Sequence, residues 1–120
     1  LAPGQLVPLT TVDHALATGL GGKHPGMRRV LAELPTSGLT GTLATRFNQP
    51  DTAAVAGVPR AKTGTLRGIS ALAGLTTDAD GRLLSFVVVA DHVPESYEGT
   101  LAARATLDRF AAALTRCGCH

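Results

Sequence analysis

Residues 58–90 read VPRAKTGTLRGISALAGLTTDADGRLLSFVVVA, and the fold turns on this stretch. Residues 58–66 have the character of a strand, Arg67-Gly68 is a tight turn, and residues 69–77 form a second strand. In Asp78-Ala79-Asp80-Gly81 the glycine supplies the positive φ of another short connection. Residues 83–90, LLSFVVVA, are nearly continuously apolar, β-branched in their second half and too short for a helix. Such a run reads as a strand with both faces covered. Two short connections in succession imply an antiparallel three-stranded meander.

Downstream, residues 99–117 read as a helix whose Ala103, Leu107, Phe110, Ala111 and Leu114 form one stripe. Arg104, Asp108, Arg109 and Arg116 are left to solvent or partners, and the helix is expected to lie across the meander. Because the third strand is apolar on both sides, the sheet needs a further layer on its far face. Upstream, residues 10–20 suggest a helix capped by Thr10 or Thr11, with Val12, Leu16 and Leu20 on one side. Pro25 opens a second helix with an apolar stripe at Met27, Val30, Leu31 and Leu34, which Pro35 stops. These two helices look thin for a covering layer. Residues 1–9, with two prolines and a glycine, read as an extended connector. Residues 39–47 read as a loop or one short helix around Gly41-Thr42-Leu43. The expected class is α/β, more narrowly α+β.

At 120 residues there is room for one domain and no second. The composition, 44% hydrophobic against 17% charged, excludes a disordered chain. A formal net charge of +2 is too small to argue for a nucleic-acid partner, and no apolar run is long enough for a membrane span. The chain begins at Leu1, without a charged segment followed by an apolar one, and is read as a processed product or a piece of something longer. Its only cysteines, Cys117 and Cys119, sit in a Cys-Gly-Cys-His tail. That tail lacks the second ligand pair of a four-coordinate metal site, so no metal is expected. A local disulfide or a partner elsewhere in a longer molecule are the other readings, and no cofactor is called for.

The chemistry lies in Ala61-Lys62-Thr63-Gly64-Thr65-Leu66. Lys62 and Thr63 offer an ammonium and a hydroxyl, which together grip a carboxylate. Gly64 removes a side chain where a substrate backbone must come close. The main-chain N–H of Thr65 is then a donor for a developing oxyanion. A phosphate-binding loop is the rival for Lys62-Thr63, but its two glycine positions are Ala56 and Ala61, Pro59 lies between them, and no helix follows. The triplet alone is also compatible with ordinary polar residues on an edge strand.

Lys62-Thr63-Gly64 resembles the third signature of the penicillin-binding protein and serine β-lactamase superfamily. Leu34-Pro35, Gly38, Gly41-Thr42-Leu43 and Arg46 are similar to the L-P-x-x-G-x-D-G-T-L-x-x-R stretch of one branch, the D-alanyl-D-alanine carboxypeptidase/endopeptidases of peptidase family S13. The resemblance continues through residues 60–66, Gly68, Ser70-Ala71-Leu72-Ala73-Gly74 and Asp80-Gly81-Arg82, and covers about residues 10–116. Thr40 stands where that family usually has Asp, which touches a local turn or salt bridge.

The resemblance implies the C-terminal portion of a β-lactamase/DD-peptidase-like domain. In it Lys62 sets the electrostatics of the nucleophile and binds the substrate carboxylate, Thr63 hydrogen-bonds that carboxylate, and Thr65 lends its N–H to the oxyanion hole. No serine here has a lysine three residues on or an asparagine two residues on, so the other two signatures are absent. A serine acyl-transfer site needs nucleophile and base in contact. The expected partner is therefore the remaining N-terminal part of the same enzyme, carrying the serine. The expected ligands are peptidoglycan stem peptides and β-lactams, and the expected location is exported, periplasmic or wall-associated. The alternative is a non-catalytic wall-binding or partner-docking module of the same fold.

Other candidates are weaker. Ser70 reads as a structural hydroxyl before a nucleophile, and Arg46 and Arg67 as ion-paired before substrate contacts. His14, His24 and His92 fall at no shared spacing and read as surface residues. Asp78, Asp80 and Gly81 suggest a turn rather than a calcium loop, because the ligands stop after two.

Overall fold

A computed structural model describes residues 4–118. Three strands, β1 (Arg60–Leu66), β2 (Ile69–Thr77) and β3 (Leu83–Ala90), form one antiparallel sheet in the order β1-β2-β3. The register is unbroken from Arg60↔Leu75 to Leu66↔Ile69, and from Ser70↔Ala90 to Thr77↔Leu83. Three helices accompany it: α1 (Leu9–Leu20), α2 (Pro25–Ala32) and α3 (Tyr97–Arg116). Two 3₁₀ turns, Gly41–Leu43 and Ala53–Val55, lie in the segment before β1.

The register sorts the side chains. Directly paired residues share a face, so Ala61, Leu72, Gly74, Phe86 and Val88 point one way. On that face α3 packs against β2 and β3, and Leu107, Ala111 and Ala112 join Leu43, Phe47, Val55, Leu72 and Phe86 in the core. Alanines along the helix let it come close to the sheet. Leu72 is fully buried, and truncating such a leucine costs about 2–5 kcal/mol.

Several boundaries differ from the expectation. β1 begins at Arg60 rather than Val58, because Pro59 has no N–H for a ladder; its carbonyl accepts from Ser37 N–H instead. α3 begins two residues early, at Tyr97, because Ser96 Oγ accepts the Gly99 N–H and closes the N-terminus. α1 starts at Leu9 after Pro8, so Thr10 and Thr11 lie inside its first turn and neither caps it. Of the extended connector, Leu9 is therefore helical, and residues 1–3 lie outside the described residues. The tail's Cys119 and His120 do too, and with them the metal reading. Cys117 is disulfide-bonded.

The far face is covered only in part. α1 packs against β3 and touches β2, with Ser85 Oγ donating to Asp13 Oδ1 at 2.6 Å. α2 leans on α1, where Gly19 admits the Leu31 side chain; a Cβ there would sit 2.8 Å from Leu31 Cδ1. Of the expected α2 stripe only Leu31 is buried, while Met27 and Val30 are exposed. β3 is correspondingly not covered on both faces: Phe86 is buried, but Leu83 and Val89 remain exposed. On the far face of β1, Arg60 at the strand's start reaches α2, its Nη1 donating to Ala32 O at 2.9 Å, while Lys62 and Gly64 further along are exposed.

Candidate functional site

β1 is an edge strand, and its phase fixes where its amides point. Ala61 N–H leaves the sheet and donates to Pro35 O at 2.9 Å, while Thr36 bridges Arg60. In a regular antiparallel strand alternate residues direct both N–H and C=O to the same side. With no bulge between Ala61 and Leu66, Thr63 and Thr65 also turn their N–H groups to the outer edge. Residues 35–36 cover that edge only at its start.

Lys62 and Gly64 lie on the face away from α3, Thr63 and Thr65 on the face toward it. Lys62 is exposed, and its ammonium bends over the outer edge to donate to Thr63 O at 2.6 Å. Thr63 Oγ1 donates to Thr42 Oγ1 at 3.1 Å, which ties the strand to the 3₁₀ turn beside it. The side chains of Lys62 and Thr63 thus leave on opposite faces, and the Lys62 ammonium returns to the edge at the Thr63 carbonyl. A Cβ on Gly64 would make a 3.4 Å contact with Ala71 Cβ, so the chain tolerates a small side chain there. Lys62 and Gly64 are exposed and Thr63 half-buried, and the three line neither the depression at the β1–β2 turn nor the one between the 45–52 segment and α3.

The upstream motif holds this edge. Thr40 Oγ1 accepts the Thr36 N–H at 2.8 Å, so the residue that departs from the family pattern still closes the local turn. Arg46 is no substrate contact. Its Nη2 lies 2.5 Å from Asp108 Oδ1 and 3.3 Å from Arg104 O, and its Nε lies 3.2 Å from Asp108 Oδ2. The side chains are 10% and 7% exposed. Asp108, left by pattern to solvent or partners, is buried with Arg46 as its partner, and the pair pins the 40s segment to α3. Helical periodicity contained no signal for it, because an aspartate facing the core looks like one facing water. Arg67 pairs with Glu95 at 3.6 Å on the surface. His14, His24 and His92 are exposed, as expected.

Asp78 serves the β2–β3 turn. Its carboxylate accepts from the backbone N–H of Arg82 at 2.8 Å and of Asp80 at 2.9 Å, and from Arg82 Nε at 3.2 Å. The Arg82 amide above all holds its pKa below the ordinary carboxylate value, against the opposing effect of burial. Among the described residues no group of three or more His, Cys, Asp or Glu side chains could hold a metal ion.

The fold is that of a penicillin-binding protein. The chain superposes on penicillin binding protein 4 (dacB) of Haemophilus influenzae, solved in complex with a β-lactam, with a TM-score of 0.76 and 24% identity over 98% of this chain and 27% of that one. A family model for the D-Ala-D-Ala carboxypeptidase 3 (S13) family matches residues 1–114, and the chain belongs to that family. Carboxypeptidase DacB of Mycolicibacterium smegmatis is 37% identical over 110 residues, covering 91% of this chain and 23% of that protein. The D-alanyl-D-alanine carboxypeptidase of Actinomadura sp. is 37% identical over 97 residues, covering 77% and 17%. The chain thus spans about a quarter, or less, of the curated relatives it matches.

Proposed function

We propose that this chain is the C-terminal part of a serine-type D-Ala-D-Ala carboxypeptidase/endopeptidase that acts on peptidoglycan stem peptides through an acyl-enzyme. The observation that carries this reading is the phase of β1: the Ala61 N–H donates outward to Pro35, so the Thr65 N–H lies on the same open edge as the Lys62 ammonium. In the complete enzyme a serine outside these 120 residues attacks the carbonyl carbon of the penultimate D-Ala. Lys62 and the Thr63 hydroxyl hold the terminal carboxylate, the Thr63 O–H turning from Thr42 to the ligand while the Thr42 hydroxyl donates to Thr63 in its place. Gly64 leaves room for the peptide backbone, and the Thr65 N–H stabilises the oxyanion, a donor typically worth about 3 kcal/mol of barrier. The terminal D-Ala departs as the amine, and water then hydrolyses the ester.

The far face of β1 supports a division of this kind, since Lys62 and Gly64 are exposed on it. The substrate places the enzyme outside the cytoplasmic membrane, in the periplasm or at the wall. β-Lactams, as mimics of the D-Ala-D-Ala end, acylate the same serine. The test is penicillin labelling of the complete protein. Lys62→Ala abolishes it if the reading holds, and unchanged labelling removes Lys62 from the mechanism. A wild-type protein that binds peptidoglycan but takes no label is a docking module instead.

A further inference from the structure

The sheet-facing stripe of α3 changes character at its N-terminal end. Thr100, Arg104, Leu107 and Ala111 follow each other at helical spacing, yet only the last two are apolar. Opposite the polar pair stands Ser70, which pairs with Thr65 and shares the face turned toward α3. These three residues line one depression of about 450 Å³ between the β1–β2 turn, residues 93–96 and the first turns of α3. Ser70 is 2% exposed, and its hydroxyl has no hydrogen-bond partner among the described residues. The half-buried Arg104 guanidinium has neither an ion-pair nor a hydrogen-bond partner among them.

Among the described residues no buried side-chain nitrogen or oxygen lacks a partner, so the Ser70 hydroxyl and the Arg104 guanidinium open into the depression, and a stripe that turns polar there is the pattern of a site rather than of packing. The charges decide the ligand's sign. Glu95 at the rim is matched by Arg67 at 3.6 Å, which leaves Arg104 as the uncompensated cation. Leu66, Val93 and Pro94 supply an apolar wall. We infer that this depression is a second ligand site, on the α3 side of the sheet, for a small aliphatic carboxylate. The carboxylate meets Arg104, Ser70 and Thr100, and the hydrocarbon lies along the wall. The site is separate from the Lys62 edge and does not rest on the peptidase reading. It backs onto Thr65, so occupancy stiffens the end of β1.

Binding of butyrate and of acetate to the complete protein, measured by saturation-transfer NMR, tests the site. Butyrate binds saturably and several-fold more tightly than acetate, because it buries two more methylenes. Arg104→Gln weakens butyrate about tenfold, the effect of losing one charge-assisted contact. Ser70→Ala weakens it several-fold. Ser70→Ala and Thr100→Val read the site even if Arg104→Gln lowers the melting temperature. Absence of saturable binding, or binding lost in Lys62→Ala and kept in the Ser70 and Arg104 variants, overturns the proposal. Inorganic phosphate binding as tightly as butyrate overturns the assignment to an aliphatic carboxylate.

Discussion

Thr63 Oγ1 donates to Thr42 Oγ1 at 3.1 Å, across 21 residues of sequence and between a sheet edge and a 3₁₀ turn. The contact gives the hydroxyl beside Lys62 a fixed direction. It also links the Lys-Thr-Gly strand to the Gly41-Thr42-Leu43 segment, whose Leu43 is in the core and whose following Arg46 is locked to Asp108. The two sequence motifs of this chain are thus parts of one construction, in which the upstream one positions the downstream one.

Thr42→Val keeps the shape of the side chain and removes its hydroxyl. One neutral hydrogen bond contributes about 1 kcal/mol. β-Lactam acylation of the complete enzyme is expected to slow about three- to tenfold, with the melting temperature nearly unchanged. Thr63→Val is expected to cost more, because it removes the group that meets the carboxylate. Equal rates for Thr42→Val and wild type would mean that the contact plays no part in positioning.

The Arg46–Asp108 pair predicts a non-additive stability cycle. Both side chains are about nine-tenths buried, and removing one partner strands the other charge, which costs about 3–5 kcal/mol. Arg46→Met and Asp108→Leu are each expected to lower the unfolding midpoint strongly. The double substitution is expected to recover part of the loss, because no charge is left unpaired. Chemical denaturation of all four proteins measures the coupling, and additive losses would show that the pair acts independently of its charges.

The glycines at 64 and 74 separate function from folding. A Cβ on Gly74 would overlap the Arg60 carbonyl oxygen and Ala61, directly behind the Lys62 edge. Gly74→Ala therefore forces β1 to shift and is expected to destabilise by about 1–3 kcal/mol. A Cβ on Gly64 meets only Ala71 Cβ, at 3.4 Å. Gly64→Ala is expected to melt within a few degrees of wild type while losing most acylation, since the new methyl occupies the substrate's path. Wild-type acylation by Gly64→Ala would take that glycine out of substrate binding.

The meander and its covering helix were legible because period and turn chemistry act locally. Asp78-Ala79-Asp80-Gly81 fixes one connection, and Arg67-Gly68, with Gly68 at φ +70°, fixes the other. The edge position of β1 followed from its place at the end of the meander, and the outward phase of its amides did not, because it depends on which residue Pro35 meets. Asp108 was left to solvent or partners without a choice between them, for a physical reason. Polar residues on a core-facing stripe carry no mark in sequence, and only the partner, or its absence, shows what they do. Ser85, in a run read as buried on both faces, instead donates to Asp13 on α1, a contact that no local pattern encodes.

The Asp78 turn gives the chain an acid-sensitive element. Its pKa in the folded state lies below the ordinary value of 3.8, chiefly because the Arg82 N–H donates to the carboxylate. A group whose folded pKa is depressed contributes stability that is present above its unfolded pKa and is lost as pH falls through the folded one. Stability at neutral pH therefore includes this contribution in full, and it fades below about pH 4. Asp78→Asn keeps an acceptor oxygen but removes the ionisation. The variant is expected to be less stable than wild type at pH 7, and the difference is expected to shrink as the pH drops below 4. Urea midpoints at pH 7, 5 and 3 measure it. A gap between the two proteins that stays constant across this range would show that the carboxylate's charge contributes nothing to the turn.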